Sequence, residues 1–157
     1  MLSIAKVVEL NAWETRRQGR QGSERARVVS AMSVDRDDVE FAIEIHRTPG
    51  VEACSITLKG KIHPRPFQAI CRYDVHDTDH QNPRGSMPET VESGAPHRHL
   101  YREEHDRKRN KWDVFAEPIR DASATSAERL LGAFVCDMNI RFQDQRTNTE
   151  LFGFMKT

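Results

Sequence analysis

Four short runs of alternating residues between positions 25 and 75 constrain this chain more than any other feature. In 39–46, Val39, Phe41, Ile43 and Ile45 alternate with Glu40, Glu44 and His46. A period of two marks a strand with one buried face. The run 25–34 repeats it with Ala26, Val28, Ser30, Met32 and Val34. Run 51–62 does so with Cys54, Ile56 and Leu58, and run 67–75 with Phe67, Ala69, Cys71 and Tyr73 as the inner set. The breaks are "DRDD" (35–38), "RTPG" (47–50) and "HPRP" (63–66). Breaks this short cannot hold a crossover helix, so the runs read as an antiparallel meander.

Around this meander the pattern changes. Ile4, Val7, Val8 and Trp13 fall near one helical face, so residues 2–17 read as a short helix, although "AKVVEL" also fits a strand. Segments 97–103 and 111–117 read as one more hairpin across a charged connection. Trp112, Val114 and Ala116 alternate in its return, and Pro118 closes it. The strongest helix is 125–142, with Thr125 and Glu128 as a capping box. Its apolar stripe is Leu130, Leu131, Phe134, Val135 and Met138. The expected architecture is α+β in a single domain, 1–157. A curved antiparallel sheet of five or six strands packs against a C-terminal helix and a short N-terminal helix.

Charge excludes one class of function. The chain carries 24 basic and 24 acidic residues. No global field therefore draws it to nucleic acid or anionic lipid, and binding of that kind would need a local patch. The run "REEHDRKRNK" (102–111) does not supply one, because Glu103, Glu104 and Asp106 offset its bases. Cys54, Cys71 and Cys136 are widely spaced and odd in number. They read as small buried hydrophobes in a reducing compartment. No apolar run approaches a membrane span, and the N-terminal stretch lacks the form of a signal peptide, so a cytoplasmic location is expected.

The chemistry concentrates in one region. Five of the seven histidines fall between 76 and 105, three of them in "GAPHRHLYREEH" (94–105). On a strand, His97, His99, Tyr101 and Glu103 share one face. In 67–75 the face opposite the inner set carries Arg72 and Asp74, with His76 just beyond. Loop 77–95 has no apolar period, contains His80, and joins the two clusters. If the two strands are neighbours, the clusters meet.

Three readings of that meeting follow. One is metal-independent cleavage of RNA. Of His97 and His99, one imidazole takes the ribose proton and the other gives one to the leaving oxygen. Arg72 or Arg98 holds the phosphate, Asp74 fixes a histidine tautomer, and Tyr101 supplies a hydroxyl or a stacking face. This reading needs no cofactor. A second reading is zinc or another divalent metal, on His76, His80, His97 and His99. The spacing H-x-H-x-x-x-E of His97, His99 and Glu103 resembles the first half of a cupin motif. Its second half needs a later histidine after a Pro-x-Gly turn, and the only later one is His105, in a charged turn. The third reading is a polar strand face whose histidines have no role, as expected for His46 and His63.

The order Arg72-Tyr73-Asp74, then His76 or His80, then Pro96-His97-x-His99 resembles a pattern of small TumE-like bacterial toxins and related uncharacterised proteins. It covers about a quarter of the chain, residues 65–105. The resemblance implies a toxin of a toxin–antitoxin pair, acting on RNA and neutralised by a protein partner. A binding protein is the expectation of a different class: a phage or mobile-element inhibitor of a defence system, using loop 77–95 and hairpin 97–117 as its contact surface. A homodimer is compatible with either, and neither involves a membrane.

Overall fold

A computed structural model describes residues 3–18, 24–47, 54–75, 79–100, 115–119 and 126–143, with side chains described outside 9–30. The strands are β1 (Lys6–Gln18), β2 (Glu24–Ser33), β3 (Val39–Arg47), β4 (Cys54–Ile62), β5 (Gln68–Val75), β6 (His80–Gln81), β7 (Thr90–Val91), β8 (His97–Leu100) and β9 (Glu117–Pro118). Helix α1 (Ala127–Asp137) and strand β10 (Ile140–Phe142) follow.

The meander β1 to β5 is present, and each successive pair is antiparallel. Among the described residues the main sheet has eight strands in the order β10-β1-β2-β3-β4-β5-β8-β9. It is mixed rather than purely antiparallel, because β10 returns from α1 to pair parallel with β1, Lys6 opposite Ile140. Strands β6 and β7 form a separate two-stranded sheet inside the 77–95 stretch that the sequence reads as a long loop.

The expected N-terminal helix is instead β1. Val7 and Val8 are β-branched and suit a pleated surface, and pairing on both sides outweighs the helical spacing of the apolar residues. The count of five or six strands falls short because β1 reads as a helix and β10, with three residues, is too short for a period to show.

The core lies between the sheet and α1. Phe41, Ile43, Ile45, Ile56, Leu58, Cys71 and Tyr73 face Leu130, Leu131 and Phe134 of the helix. The Tyr73 and Phe134 rings meet edge-on, with centroids 5.4 Å apart. Ser126 is the helix N-cap, its hydroxyl accepting from Arg129 N at 3.3 Å, while the expected cap Thr125 lies outside the described residues. The helix ends at Asp137. Asn139 then takes a left-handed conformation (φ 50), which asparagine tolerates, and turns the chain into β10. Cys136, expected inside, is exposed, whereas Cys54 and Cys71 are buried.

A bulge corrects the reading of β5. The register slips between Leu58 opposite Cys71 and Lys59 opposite Ala69, so Ile70 is the extra residue. Side-chain parity inverts there. Phe67, expected on the inner face, is 42% exposed with Lys61 Nζ over its ring at 5.6 Å. Downstream of the bulge, Cys71, Tyr73 and Val75 stay in the core. Arg72 and Asp74 then take the face away from α1.

Candidate functional site: a three-histidine cluster

β5 and β8 are neighbours, with Arg72 opposite His99 and Asp74 opposite His97. Cross-strand partners share a face, so these four side chains rise together on the side of the sheet away from the helix. Gly94 at φ 76 turns the chain just before β8. His97 and His99 are buried, at 1% and 0% exposure, and Asp74 is fully buried with them.

The third histidine comes from the 79–95 segment. Its β6–β7 hairpin sets His80 opposite Val91, and Val91 is buried. The His80 ring lies 5.5 Å from that of His97 and 4.9 Å from that of His99, which are 5.3 Å from each other. One nitrogen from each ring lies within 4.8 Å of the others. A tetrahedral ion bound at its usual bond lengths brings three such nitrogens to about 3.4 Å. His80 is the least buried of the three.

Hydrogen bonds fix how two of the rings stand. His97 Nδ1 lies 3.0 Å from the Ala95 carbonyl oxygen. A carbonyl only accepts, so Nδ1–H donates and Nε2 holds the lone pair. His99 Nε2 lies 3.2 Å from Asp74 Oδ2 and 3.4 Å from an Arg72 guanidinium nitrogen. The carboxylate is the nearer and stronger partner, so Nε2–H donates to it. The His99 lone pair is then on Nδ1, across the ring, and this buried atom has no hydrogen-bond partner among the described residues. Arg72 Nε donates to the same Asp74 Oδ2 at 2.6 Å and holds the carboxylate in place. Carbonyl and carboxylate behind imidazole are the usual outer partners of metal-binding histidines.

The structure therefore brings together Arg72, Asp74, His97 and His99. Tyr101, Glu103, His76 and His105 lie outside the described residues. Arg98, the alternative phosphate holder, points the other way. It crosses to the helix side, 3.7 Å from Asp137 and 3.6 Å from Glu117. His46 and His63 sit apart from the cluster, paired with Glu44 and Glu40. Burial pushes the Cys54 and Cys71 thiols up to about 12, so neither is a thiolate near neutral pH.

Asn82 carried no signal in the sequence, where it is one polar residue in a Pro- and Gly-rich stretch. Its amide is buried and clasps Ala116. Nδ2 donates to Ala116 O at 2.9 Å, and Oδ1 accepts from Ala116 N at 2.7 Å. No helix among the described residues is long and apolar enough to cross a membrane. Comparisons with models of protein families, with curated proteins and with solved structures return no match. The resemblance to TumE-like toxins thus rests on the Arg72-Tyr73-Asp74 and Pro96-His97-x-His99 residues themselves.

Proposed function

We propose that this protein holds one transition-metal ion on His80, His97 and His99, with zinc as the first choice. The observation that carries the reading is the convergence of three imidazoles, two of them oriented by an outer acceptor. Imidazole suits zinc, copper, iron and nickel, and three imidazoles leave one tetrahedral position for water or substrate. That donor set is the one used for Lewis-acid and metal-hydroxide catalysis. Here Asp74 orients His99, Ala95 orients His97, and the hairpin supplies His80.

Burial favours this reading over acid–base chemistry on RNA. A polymeric substrate would have to reach imidazoles that are essentially unexposed. A second reading keeps one observation in its favour. Asp74 behind His99 is also the arrangement that orients a general base, and Arg72 stands beside it, as a metal-independent ribonuclease toxin would use them.

Calorimetric titration of the chelator-stripped protein with zinc separates the two. One equivalent bound tightly, lost in a His97→Ala/His99→Ala double variant, supports the metal site. RNA cleavage that persists in excess chelator, together with no zinc uptake, supports the ribonuclease.

A further inference from the structure

We infer that Asn82 is the positioning residue that sets the third histidine, an inference that rests on the metal reading above. His80 and Asn82 are two residues apart on one extended segment, so their side chains leave the same side of it. One meets the His97 and His99 rings, and the other meets the edge of the main sheet at Ala116. The Asn82 amide makes both a donated and an accepted bond to the Ala116 backbone, much as a neighbouring strand residue would.

The same Nδ2 also donates to Pro88 O at 2.8 Å, and Asn82 N donates to Glu89 O at 2.9 Å. Asn82 therefore ties both arms of the hairpin to each other and to the sheet. Ala116 is itself fixed. Adjacent Glu117 pairs with Arg98 in the β8–β9 ladder, and Ile119 N donates to Pro96 O at 3.2 Å. The span from Asn82 through 116–119 to β8 thus returns to the strand that carries His97 and His99. His97 and His99 belong to the sheet and need no such fastening. The clasp helps hold the hairpin that carries His80 against them.

The consequence is specific. Loss of the clasp loosens the hold on His80 and weakens the site's third ligand, with β5 and β8 untouched. The probe is cobalt(II), whose visible absorption reports coordination number and ligand set. Five proteins are compared: wild type, Asn82→Ala, Asn82→Asp, His80→Ala and the Asn82→Ala/His80→Ala double variant. Wild type takes one equivalent with the intense visible bands of a four-coordinate site. Asn82→Ala weakens cobalt about tenfold to a hundredfold, the range for loss of an outer-shell partner, and dims those bands. The double variant is no weaker than His80→Ala alone, because Asn82 acts through His80. Asn82→Asp keeps the acceptor for Ala116 N–H and loses the donated bonds. It falls between wild type and Asn82→Ala, and keeps the test readable if Asn82→Ala does not fold. The inference is overturned if wild type binds cobalt while Asn82→Asp and any folded Asn82→Ala keep its affinity and spectrum, or if the two losses add in the double variant. Failure of wild type to bind cobalt removes the metal reading itself, and this inference with it.

Discussion

Arg98 and His99 are adjacent on β8 and lead to two different polar networks. On the helix side, Arg98 reaches Asp137 and Glu117, and Tyr73 donates its hydroxyl to Asp137 at 2.5 Å. Burial, with the Asp137 carboxylate second, pushes the Tyr73 phenol up, so it remains a donor across the neutral range. This network fastens α1 to the sheet, with Arg98 Nε buried and without a hydrogen-bond partner among the described residues. On the other side, Arg72, Asp74 and His99 form an equally tight chain, yet its last member ends at a buried Nδ1 without a described partner. A buried polar group costs stability unless something satisfies it. Each network leaves one such group, but Arg98 Nε still has the Glu117 carboxylate 3.6 Å away, whereas His99 has two more imidazoles around it. The first network is structural, and the second is the one we propose as the ligand site.

The contrast can be broken from either side. The largest effect falls on the histidines. His97→Ala with His99→Ala removes zinc uptake altogether, read as stoichiometry by calorimetry, because His80 alone cannot hold the ion. Next comes the helix docking. Phe134→Ala costs about 3–5 kcal/mol in denaturant unfolding, since Phe134 is fully buried against Tyr73. Asp74→Asn lowers zinc affinity about tenfold to a hundredfold by weakening the hold on His99. Tyr73→Phe does the reverse. It costs roughly 1.5–3 kcal/mol of stability, because the lost bond is to a carboxylate, and leaves zinc affinity unchanged. An equal loss of zinc affinity in Tyr73→Phe and Asp74→Asn would erase the distinction between the two faces.

The smallest effect is a pH dependence away from both networks. Lys6 is buried, and desolvation lowers its pKa to about 8. Its ammonium donates to Ile4 O at 2.7 Å and Met138 O at 2.8 Å. Between pH 8 and 10.5 the unfolded chain keeps a proton that the folded chain has released, so stability rises with pH across that window. Denaturant melts of wild type against Lys6→Met isolate this change, because the other titrating groups cancel in the difference. The wild type gains relative to the variant across that window.

Part of this was written in the sequence and part was not. Alternation in 39–46 is legible because a half-buried strand has only one period to show, and it led to β3 and its neighbours. Parity on β5 and β8 put Arg72, Asp74, His97 and His99 on faces that could meet, and the register brings them together. The bulge at Ile70 was invisible, since one inserted residue leaves composition unchanged while reversing the facing of Phe67. β1 misled because its apolar residues fit a helix and a strand alike, and only its partners β2 and β10 decide between them. His80 could be named as a candidate ligand. Its placement depends on the Asn82–Ala116 clasp, a contact 34 residues apart in the chain that no local pattern records.

X-ray absorption at the zinc edge of the zinc-loaded protein addresses the central claim most directly. Three imidazole nitrogens at about 2.0–2.1 Å, with a fourth light atom and no sulfur, are expected. A shell containing sulfur at about 2.3 Å, fewer than three imidazoles, or failure to retain one zinc per chain would contradict it.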